Sequence, residues 1–210
     1  NNTGIGYNSL NSNTTGAQNV AVGANALDAN TTGNNNTGVG YNALGSHTTG
    51  ANATAIGFAA GAANTTGVIT AVGSQALNAN QTGNNNTALG VSALLNNTAN
   101  NNTALGHTAM GANTSGTQNV AIGAFVLDAN TTADNNTAIG YNALSANSTG
   151  AANTAIGTVA LNANTTANNN TAVGMNALLV NTTGTPNTSV GSYKKTQQLQ
   201  ITLRLVEVLY

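Results

Sequence analysis

Few side chains in this 210-residue chain could do acid–base or metal chemistry. The repeating part of the sequence holds five candidates, Asp28, Asp128, Asp134, His47 and His107, and the whole chain has no cysteine. Catalysis needs several such groups in one pocket, whereas these five are scattered singly, without zinc-ligand spacing or a phosphate-binding loop. The sequence therefore predicts a protein that is not an enzyme and has no metal or other cofactor. Both histidines are interpreted as ordinary surface substitutions.

Asn-X-Ser/Thr sequons form a second chemical pattern. Nine of them recur at one fixed place of a repeat: Asn13, Asn30, Asn64, Asn80, Asn113, Asn130, Asn147, Asn164 and Asn181. A chain that meets an oligosaccharyltransferase would carry a row of N-linked glycans along one edge. The alternative is that turns rich in Asn and Thr spell sequons through composition alone.

A repeat of 17 residues must position these side chains. Branched apolar residues, each followed by Gly, recur every 17 residues, with two steps of 16: Ile5, Val22, Val39, Ile56, Val72, Leu89, Leu105, Ile122, Ile139, Ile156, Val173 and Val190. We number the repeat so that Asn136, Thr137, Ala138, Ile139 and Gly140 occupy places 1 to 5. The nine sequons then lie at place 12. Asp28 and Asp128 both lie at place 10 but six repeats apart, so they are too distant to form an acid–base pair.

The remaining places predict a β-solenoid. Leu recurs at place 9 and Ala at place 8, while places 12 to 15 often read Asn-Thr-Thr-Gly, which is turn chemistry. Each repeat is predicted to be a short strand, a bend after Gly, a second short strand and a polar turn. Helical repeats are longer and do not tolerate a recurring internal Gly. The fold class is therefore all-β, a parallel β-solenoid (β-roll) of about twelve coils over residues 1–191.

Stacked coils place like residues over like. Ile/Val and Leu columns are expected to fill the interior, and Asn columns are expected to hydrogen-bond along the axis. Two large apolar side chains per coil contribute only about 3 to 6 kcal/mol, against about 17 kcal/mol or more of backbone entropy. The small residues at places 3 and 5, on the side of the strand opposite Ile, are expected to pack against a partner chain. A homo-oligomer is therefore predicted.

Two surface patterns suggest further uses. The aromatic residues Tyr7, Tyr41, Phe58 and Tyr141 share place 6 and are interpreted as packing under a neighbouring chain, with a sugar-binding stripe as the alternative. Thr residues at places 13 and 14 invite an ice-binding hypothesis. Adjacent residues on a strand point to opposite faces, however, which disfavours a flat Thr array.

Composition excludes several partners. Charged residues make up 3% of the chain and the formal net charge is −1, so no basic surface for nucleic acid is expected. No apolar run is long enough to span a membrane. The absence of Cys leaves the redox compartment open.

The segment Asn-Thr-Ala-Ile-Gly-Tyr-Asn-Ala-Leu, residues 136–144, resembles the head repeats of YadA-like trimeric autotransporter adhesins and related phage tail-fibre proteins. The resemblance covers residues 1–191, although the head repeat of that family is commonly nearer fourteen residues. It implies a left-handed parallel β-roll, three chains side by side, surface display and adhesion to a host receptor or carbohydrate. The expected function is a non-enzymatic surface fibre or adhesin module, located outside the cell or on a virion. A glycan-coated self-assembling extracellular filament is the alternative, and ice binding is third.

The pattern ends at Ser192, and all three basic residues lie in the tail, residues 192–210. Leu199, Leu203, Val206 and Tyr210 have heptad spacing typical of the start of a coiled coil, while alternating apolar residues favour a short strand. A third hypothesis is another repeat read out of frame, since a shifted reading of residues 195–210 can spell most of the segment 164–178.

Overall fold

The computed structural model describes residues 1–192, which form one parallel sheet of twelve short strands. The strands lie in chain order across the sheet, one per repeat. Their bounds are β1 Thr3–Ile5, β2 Val20–Val22, β3 Thr37–Val39, β4 Thr54–Ile56, β5 Ile69–Val72, β6 Asn86–Leu89, β7 Thr103–Leu105, β8 Val120–Ile122, β9 Thr137–Ile139, β10 Thr154–Ile156, β11 Thr171–Val173 and β12 Thr188–Val190. The predicted β-solenoid is confirmed. The three interpretations of the tail fall on residues 193–210, outside the described part of the chain.

Like residues stack on like in every coil. Ile139 pairs with Ile122 on one side and Ile156 on the other, one repeat away in each direction. The two shorter steps pair Ile56 with Val72 and Leu89 with Leu105, so the missing residue is absorbed in the turn and the strand register is kept. Eleven steps of about 4.8 Å give a stack about 53 Å long.

Each coil has one strand, not two, so the expected second strand is wrong. Places 6 to 11 form consecutive turns, because places 7 and 9 take positive φ, as in Asn142 (φ 53) and Leu144 (φ 53). Asn adopts this left-handed conformation readily, whereas for Leu it costs about 1–2 kcal/mol. Leu144 is fully buried, and that burial offsets the conformational cost.

The interior of the coil is too narrow for both of the apolar columns that the sequence places inside it. Ala at places 3 and 8 and Leu at place 9 are 0% exposed in most coils, as are Ala138, Ala143 and Leu144. Strand alternation then directs Ile/Val at place 4 outward, so the predicted inner Ile/Val column is wrong and the inner Leu column is confirmed. Space explains the choice: a Cβ added to Gly38 at place 3 would lie 3.3 Å from Leu27 Cγ. Only small side chains fit there, and place 3 holds Gly or Ala in every strand but the last, which has Ser189.

Two columns of buried Asn border this apolar interior. At place 1, Asn136 Nδ2 donates to the carbonyl oxygen of Gly150 in its own coil (2.9 Å), and Asn136 Oδ1 accepts from the backbone N–H of Asn153 in the next (2.9 Å). At place 12, Asn147 Nδ2 donates to Gly150 O (2.9 Å) and to Asn130 Oδ1 of the preceding coil (3.1 Å). The predicted axial Asn bonding is therefore confirmed.

The coil at residues 53–68 lacks the usual large side chain at place 9, and a side chain of the next coil fills the space. Gly61 stands at place 9, where the other coils have Leu or Met, and Ile69 stands at place 1 of the next coil, where Asn is usual. A Cβ added to Gly61 would lie 2.8 Å from Ile69 Cδ1 and 3.2 Å from Leu44 Cδ2. The Ile69 side chain thus occupies the volume that Gly61 leaves empty.

Glycine at place 5 makes close stacking possible. Gly140 has φ 132, and a Cβ there would lie 2.6 Å from the carbonyl carbon of Gly157 in the next coil. Real Cβ atoms do not approach backbone so closely, which explains why every repeat has Gly at this place.

Candidate functional site: the outer face of the sheet

The main exposed feature is the outward side of the twelve-stranded sheet, which we call the outer face. It consists of the side chains at places 2 and 4 of each coil, together with place 6 at the adjoining corner. Place 2 is Thr in ten of the twelve coils and place 4 is always Ile, Val or Leu. Ile56 is 41% exposed and Leu89 is 46% exposed, although each stacks between two neighbours of its own column. A continuous apolar column, exposed in six coils and half-buried in the other six, therefore runs along the outside of the whole stack.

Strand alternation and coil width together explain this arrangement. The strand carries the pattern Thr-Ala-Ile at places 2 to 4, and the narrow interior accepts only the Ala methyl group. The expectation that the small-residue side packs on a partner chain is therefore corrected, because that side is the core. The side available to a partner is the one that carries Ile, Val and Thr.

Aromatic side chains lie at the corner beside the apolar column. Tyr41 and Phe58 are 52% and 54% exposed and stack on each other with centroids 5.6 Å apart and an interplanar angle of 12°. Tyr7 and Tyr141 are also exposed at this corner. Since Tyr41 and Phe58 turn one face each toward the other, that shared face is closed to a sugar ring. The arrangement favours side-by-side packing over a sugar-stacking platform.

A second aromatic group at this corner includes a residue that the place-6 pattern did not predict. Phe125 stands at place 7 and contacts His107 and Tyr141 edge-on, with ring centroids 5.1 and 6.1 Å apart. His107 is exposed, and its Nδ1 lies 3.0 Å from the hydroxyl of Thr108. His107 thus belongs to the corner of the outer face, as the surface interpretation expected.

The interpretation of His47 as a surface substitution is wrong, because its side chain is buried. It replaces Asn in the place-12 column, where its Nδ1 lies 2.7 Å from Asn64 Oδ1. Burial lowers the pKa of His47, and the hydrogen bond to Asn64 opposes that shift only partly. The substitution interrupts the column, because Asn30 Oδ1, His47 Nε2 and Asn64 Nδ2 have no hydrogen-bond partner among the described residues.

The aspartates do not come together. Asp28 and Asp128 are half-buried at place 10, about 29 Å apart at six steps of about 4.8 Å. Burial raises the pKa of Asp128. Asp134 Oδ1 accepts hydrogen bonds from the backbone N–H (2.6 Å) and the hydroxyl (2.9 Å) of Thr117, which is a coil-to-coil contact. Among residues 1–192, no cluster of three or more His, Cys, Asp or Glu side chains could hold a metal ion.

The predicted glycan row at place 12 lies inside the coil. Seven of its nine sequon residues are 0% exposed: Asn30, Asn64, Asn80, Asn113, Asn130, Asn147 and Asn164. Asn13 and Asn181, near the two ends of the stack, are half-buried. A glycan attaches to Nδ2, the atom that donates to the neighbouring Asn and to the turn carbonyl in most of these coils. A glycan on the seven buried residues is therefore incompatible with the folded coil.

The Thr residues at places 13 and 14 form no flat two-column array. Hydroxyls at place 13 bond to the next coil, as from Thr31 Oγ1 to Thr48 O (3.1 Å) and from Thr114 Oγ1 to Thr131 O (3.0 Å). Place 14 carries exposed side chains such as Thr32 and Thr149. The place-13 hydroxyls are thus engaged in bonding between coils, which gives no support to the ice-binding hypothesis at this surface.

Comparison with family models, with curated proteins and with solved structures finds no match to this chain. The resemblance to adhesin head repeats, with the left-handed winding and three chains that it implies, therefore stays a prediction. Within residues 1–192, no helix has the length and apolar character needed to cross a membrane.

Proposed function

We propose that this chain is a non-enzymatic structural module, a stiff rod in an extracellular or virion-surface fibre or adhesin, and that copies assemble through the outer face. The observation that carries the proposal is the unbroken column of outward Ile, Val and Leu along twelve coils, of which six are exposed and six are half-buried. A receptor or carbohydrate partner belongs to the same proposal as the target that such a rod would present or bind.

Stiffness follows from bonding between coils around most of the coil. Neighbouring coils are joined by backbone hydrogen bonds in the strand, as from Val120 N to Asn136 O (2.9 Å), and in the turns, as from Leu127 N to Ala143 O (3.1 Å) and Thr131 N to Ser148 O (3.2 Å). The two Asn columns add side-chain bonds at two further places. Bending the rod would lengthen bonds on one side of every coil, so the stack resists bending.

Assembly follows from the size and charge of the outer face. The face is about 53 Å long and about 13 Å wide, from eleven steps of about 4.8 Å and four residues of about 3.3 Å. That outline is roughly 700 Å², of the same order as the about 800 Å² that each partner contributes to a standard interface. The described aspartates lie at places 10 and 16, away from this face. No carboxylate of residues 1–192 therefore opposes packing of copies side by side through this face.

The filament alternative shares this rod but needs a different contact. A glycan-coated filament would polymerise end to end, whereas the apolar column at place 4 runs along the side of the rod. A defined oligomer formed through the outer face is therefore the hypothesis that we place first.

The test is the mass of the purified chain in solution. We expect light scattering after size-exclusion chromatography to give a discrete oligomer, three copies if the adhesin-head resemblance holds. The double variant Ile122→Asn/Ile139→Asn should shift the assembly to monomers, because it places two polar amides in the centre of the apolar column. Its circular dichroism spectrum should keep the β signal, since neither side chain is in the core.

The matched control is Thr132→Asn/Thr149→Asn, which puts the same side chains at exposed place 14 of the same two coils. This control should keep the mass of the unmodified chain. A monomeric unmodified chain at micromolar concentration, or dissociation by both double variants alike, would refute assembly through the outer face.

A further inference from the structure

A second set of sequons occupies place 17, where the chain turns into the strand. Asn at place 17, any residue at place 1 and Thr at place 2 spell Asn-X-Thr in many coils. Beyond Asn1, at the start of the sequence, they are Asn35, Asn52, Asn85, Asn101, Asn135 and Asn169. All six side chains are exposed, in contrast with the buried row at place 12.

We infer that place 17, and not place 12, is the acceptor column for N-linked glycans on this rod. This inference rests on the extracellular location in the proposed function but not on assembly through the outer face. In the reaction, Asn Nδ2 forms a bond to C1 of the sugar, the bond from C1 to the phosphate oxygen of a lipid-pyrophosphate-linked oligosaccharide breaks, and the amide loses one proton. The donor and the oligosaccharyltransferase are those of the secretory pathway of the cell that produces the chain.

The backbone at place 17 already has its bonds without the side chain. Asn35 and Asn135 have φ of 58 and 60, a conformation that Asn tolerates well, so Asn is suited to the turn itself. Their backbone N–H groups donate to Ala17 O (3.0 Å) and Thr117 O (3.1 Å) of the preceding coil. A glycan on Nδ2 would therefore leave the backbone bonding between coils intact.

The two sequon columns differ most in the role of Nδ2. Asn147 Nδ2 at place 12 donates to Gly150 O (2.9 Å) and Asn130 Oδ1 (3.1 Å) inside the coil. Asn85 Nδ2 at place 17 donates only to Asn101 Oδ1 in its own exposed column, at a distance of 3.2 Å. Modification at place 12 thus requires the coil to open, whereas modification at place 17 requires at most the loss of a surface contact.

Spacing along the rod sets the expected occupancy. Asn35 and Asn52 lie on adjacent coils, about 4.8 Å apart along the axis, as do Asn85 and Asn101. A branched oligosaccharide is wider than that distance, so we expect one glycan per adjacent pair. Asn135 and Asn169 have no sequon in their column on an adjacent coil and should be occupied independently.

The glycans would also border the outer face. Place 17 is two residues before the Thr at place 2, on the side of the face away from the aromatic corner. Modified chains would be covered along the Thr edge and keep the Ile column and the aromatic corner free. The modification would thereby restrict the direction from which another copy can approach.

The experiment is site mapping by mass spectrometry on the full chain, secreted from a eukaryotic cell line and purified in the folded state. Enzymatic removal of glycans in ¹⁸O-water converts each modified Asn to labelled Asp. We expect label at place 17, led by Asn135 and Asn169, and no label at the seven buried place-12 residues. Label at those residues, or a secreted chain without any label, would overturn the inference.

Two Thr→Ala variants provide a matched comparison within one stretch of chain. Thr137→Ala removes the sequon of Asn135 and Thr149→Ala removes that of Asn147, and both leave the two buried Asn columns untouched. The first should lower the intact mass by one glycan, and the second should leave it unchanged. Loss of a glycan in the second variant but not the first would contradict the assignment.

Discussion

Exchanging Gly61 and Ile69 for the residues usual at their places tests whether the two are paired inside the rod. Gly61→Leu alone places a Cβ 2.8 Å from Ile69 Cδ1 and puts a non-glycine residue at φ 56. Ile69→Asn alone empties the volume beside Gly61. The double variant Gly61→Leu/Ile69→Asn recreates the usual coil, with Leu inside and Asn bordering it.

The magnitudes separate the three variants. Overpacking by Gly61→Leu costs about 1–3 kcal/mol, plus about 1–2 kcal/mol for left-handed Leu. Ile69→Asn loses about 2–5 kcal/mol of buried side chain and regains about 1 kcal/mol for each hydrogen bond. By analogy with Asn136, the new Asn would bond to Gly83 O and the backbone N–H of Asn86. The double variant should be near the original stability, so the coupling free energy equals the sum of the single losses, about 2–5 kcal/mol for Gly61→Leu and about 0–3 kcal/mol for Ile69→Asn, and is at least about 2 kcal/mol.

Thermal unfolding of all four chains, followed by circular dichroism, measures this coupling. Each single variant should melt several degrees lower, at about 2–4 °C per kcal/mol for a chain of this size. The double variant should return to within about 2 °C of the unmodified chain. Additive losses, with the double variant the least stable of the four, would show that Ile69 does not fill the space beside Gly61.

Four further outcomes are expected. Val159→Asn should raise the free energy of unfolding by about 1 kcal/mol in urea titrations, because Val159 is β-branched at φ 52, while Asn142→Ala at the same place should not raise it. His47→Asn should stabilise the rod and remove the loss of stability in acid that His47 causes. The pKa of His47 is lowered in the folded state, so the unfolded state binds more protons and stability falls as pH drops below about 6.5. Melting temperatures of both chains at about pH 7.5 and pH 5.5 measure this difference. Gly140→Ala should lower the melting temperature strongly through its clash with Gly157, whereas Gly45→Ala, which would approach the side chain of Asn42 and not a neighbouring backbone, should lower it less. Asn130→Ala should cost about 1–3 kcal/mol in the same titration through the unpaired partners that it leaves, and Asn135→Ala at the exposed column much less.

The repeat made the fold predictable, because register and residue order in a solenoid follow from period alone. Ile139 stacks on Ile122 and Ile156 for the same reason that it aligns with them in sequence. The direction of its side chain did not follow from the period. An alternating strand predicts that Ala138 and Ile139 face opposite ways, but hydrophobicity suggested the wrong one as the inner residue.

The informative signal for that direction was the restricted size at place 3 and not the apolar character at place 4. Only Ala, Gly and Ser occur at place 3, which is the mark of a position with neighbours on all sides. Leu144 already fills the interior of its coil, so a second large side chain has no room. The place-12 sequons were misinterpreted for a related reason. Asn in an Asn-Thr-Thr-Gly turn suggests an exposed side chain, but in this narrow coil the turn closes over the Asn at place 12 and buries it.

A rod of this construction depends on hydrogen bonding more than on apolar burial. Each coil buries one large apolar side chain, such as Leu144, worth about 1.5–3 kcal/mol, whereas its two inner Asn residues bond to neighbouring coils and to their own turn. Buried amides are costly when unpaired, so a coil that continues both columns spares its neighbours that cost. His47 shows the effect of one exception, which leaves unpaired atoms in its own coil and in the two adjacent coils. The polar columns thus enforce the register, and the apolar side chains that the narrow interior excludes form the surface on which copies are proposed to assemble.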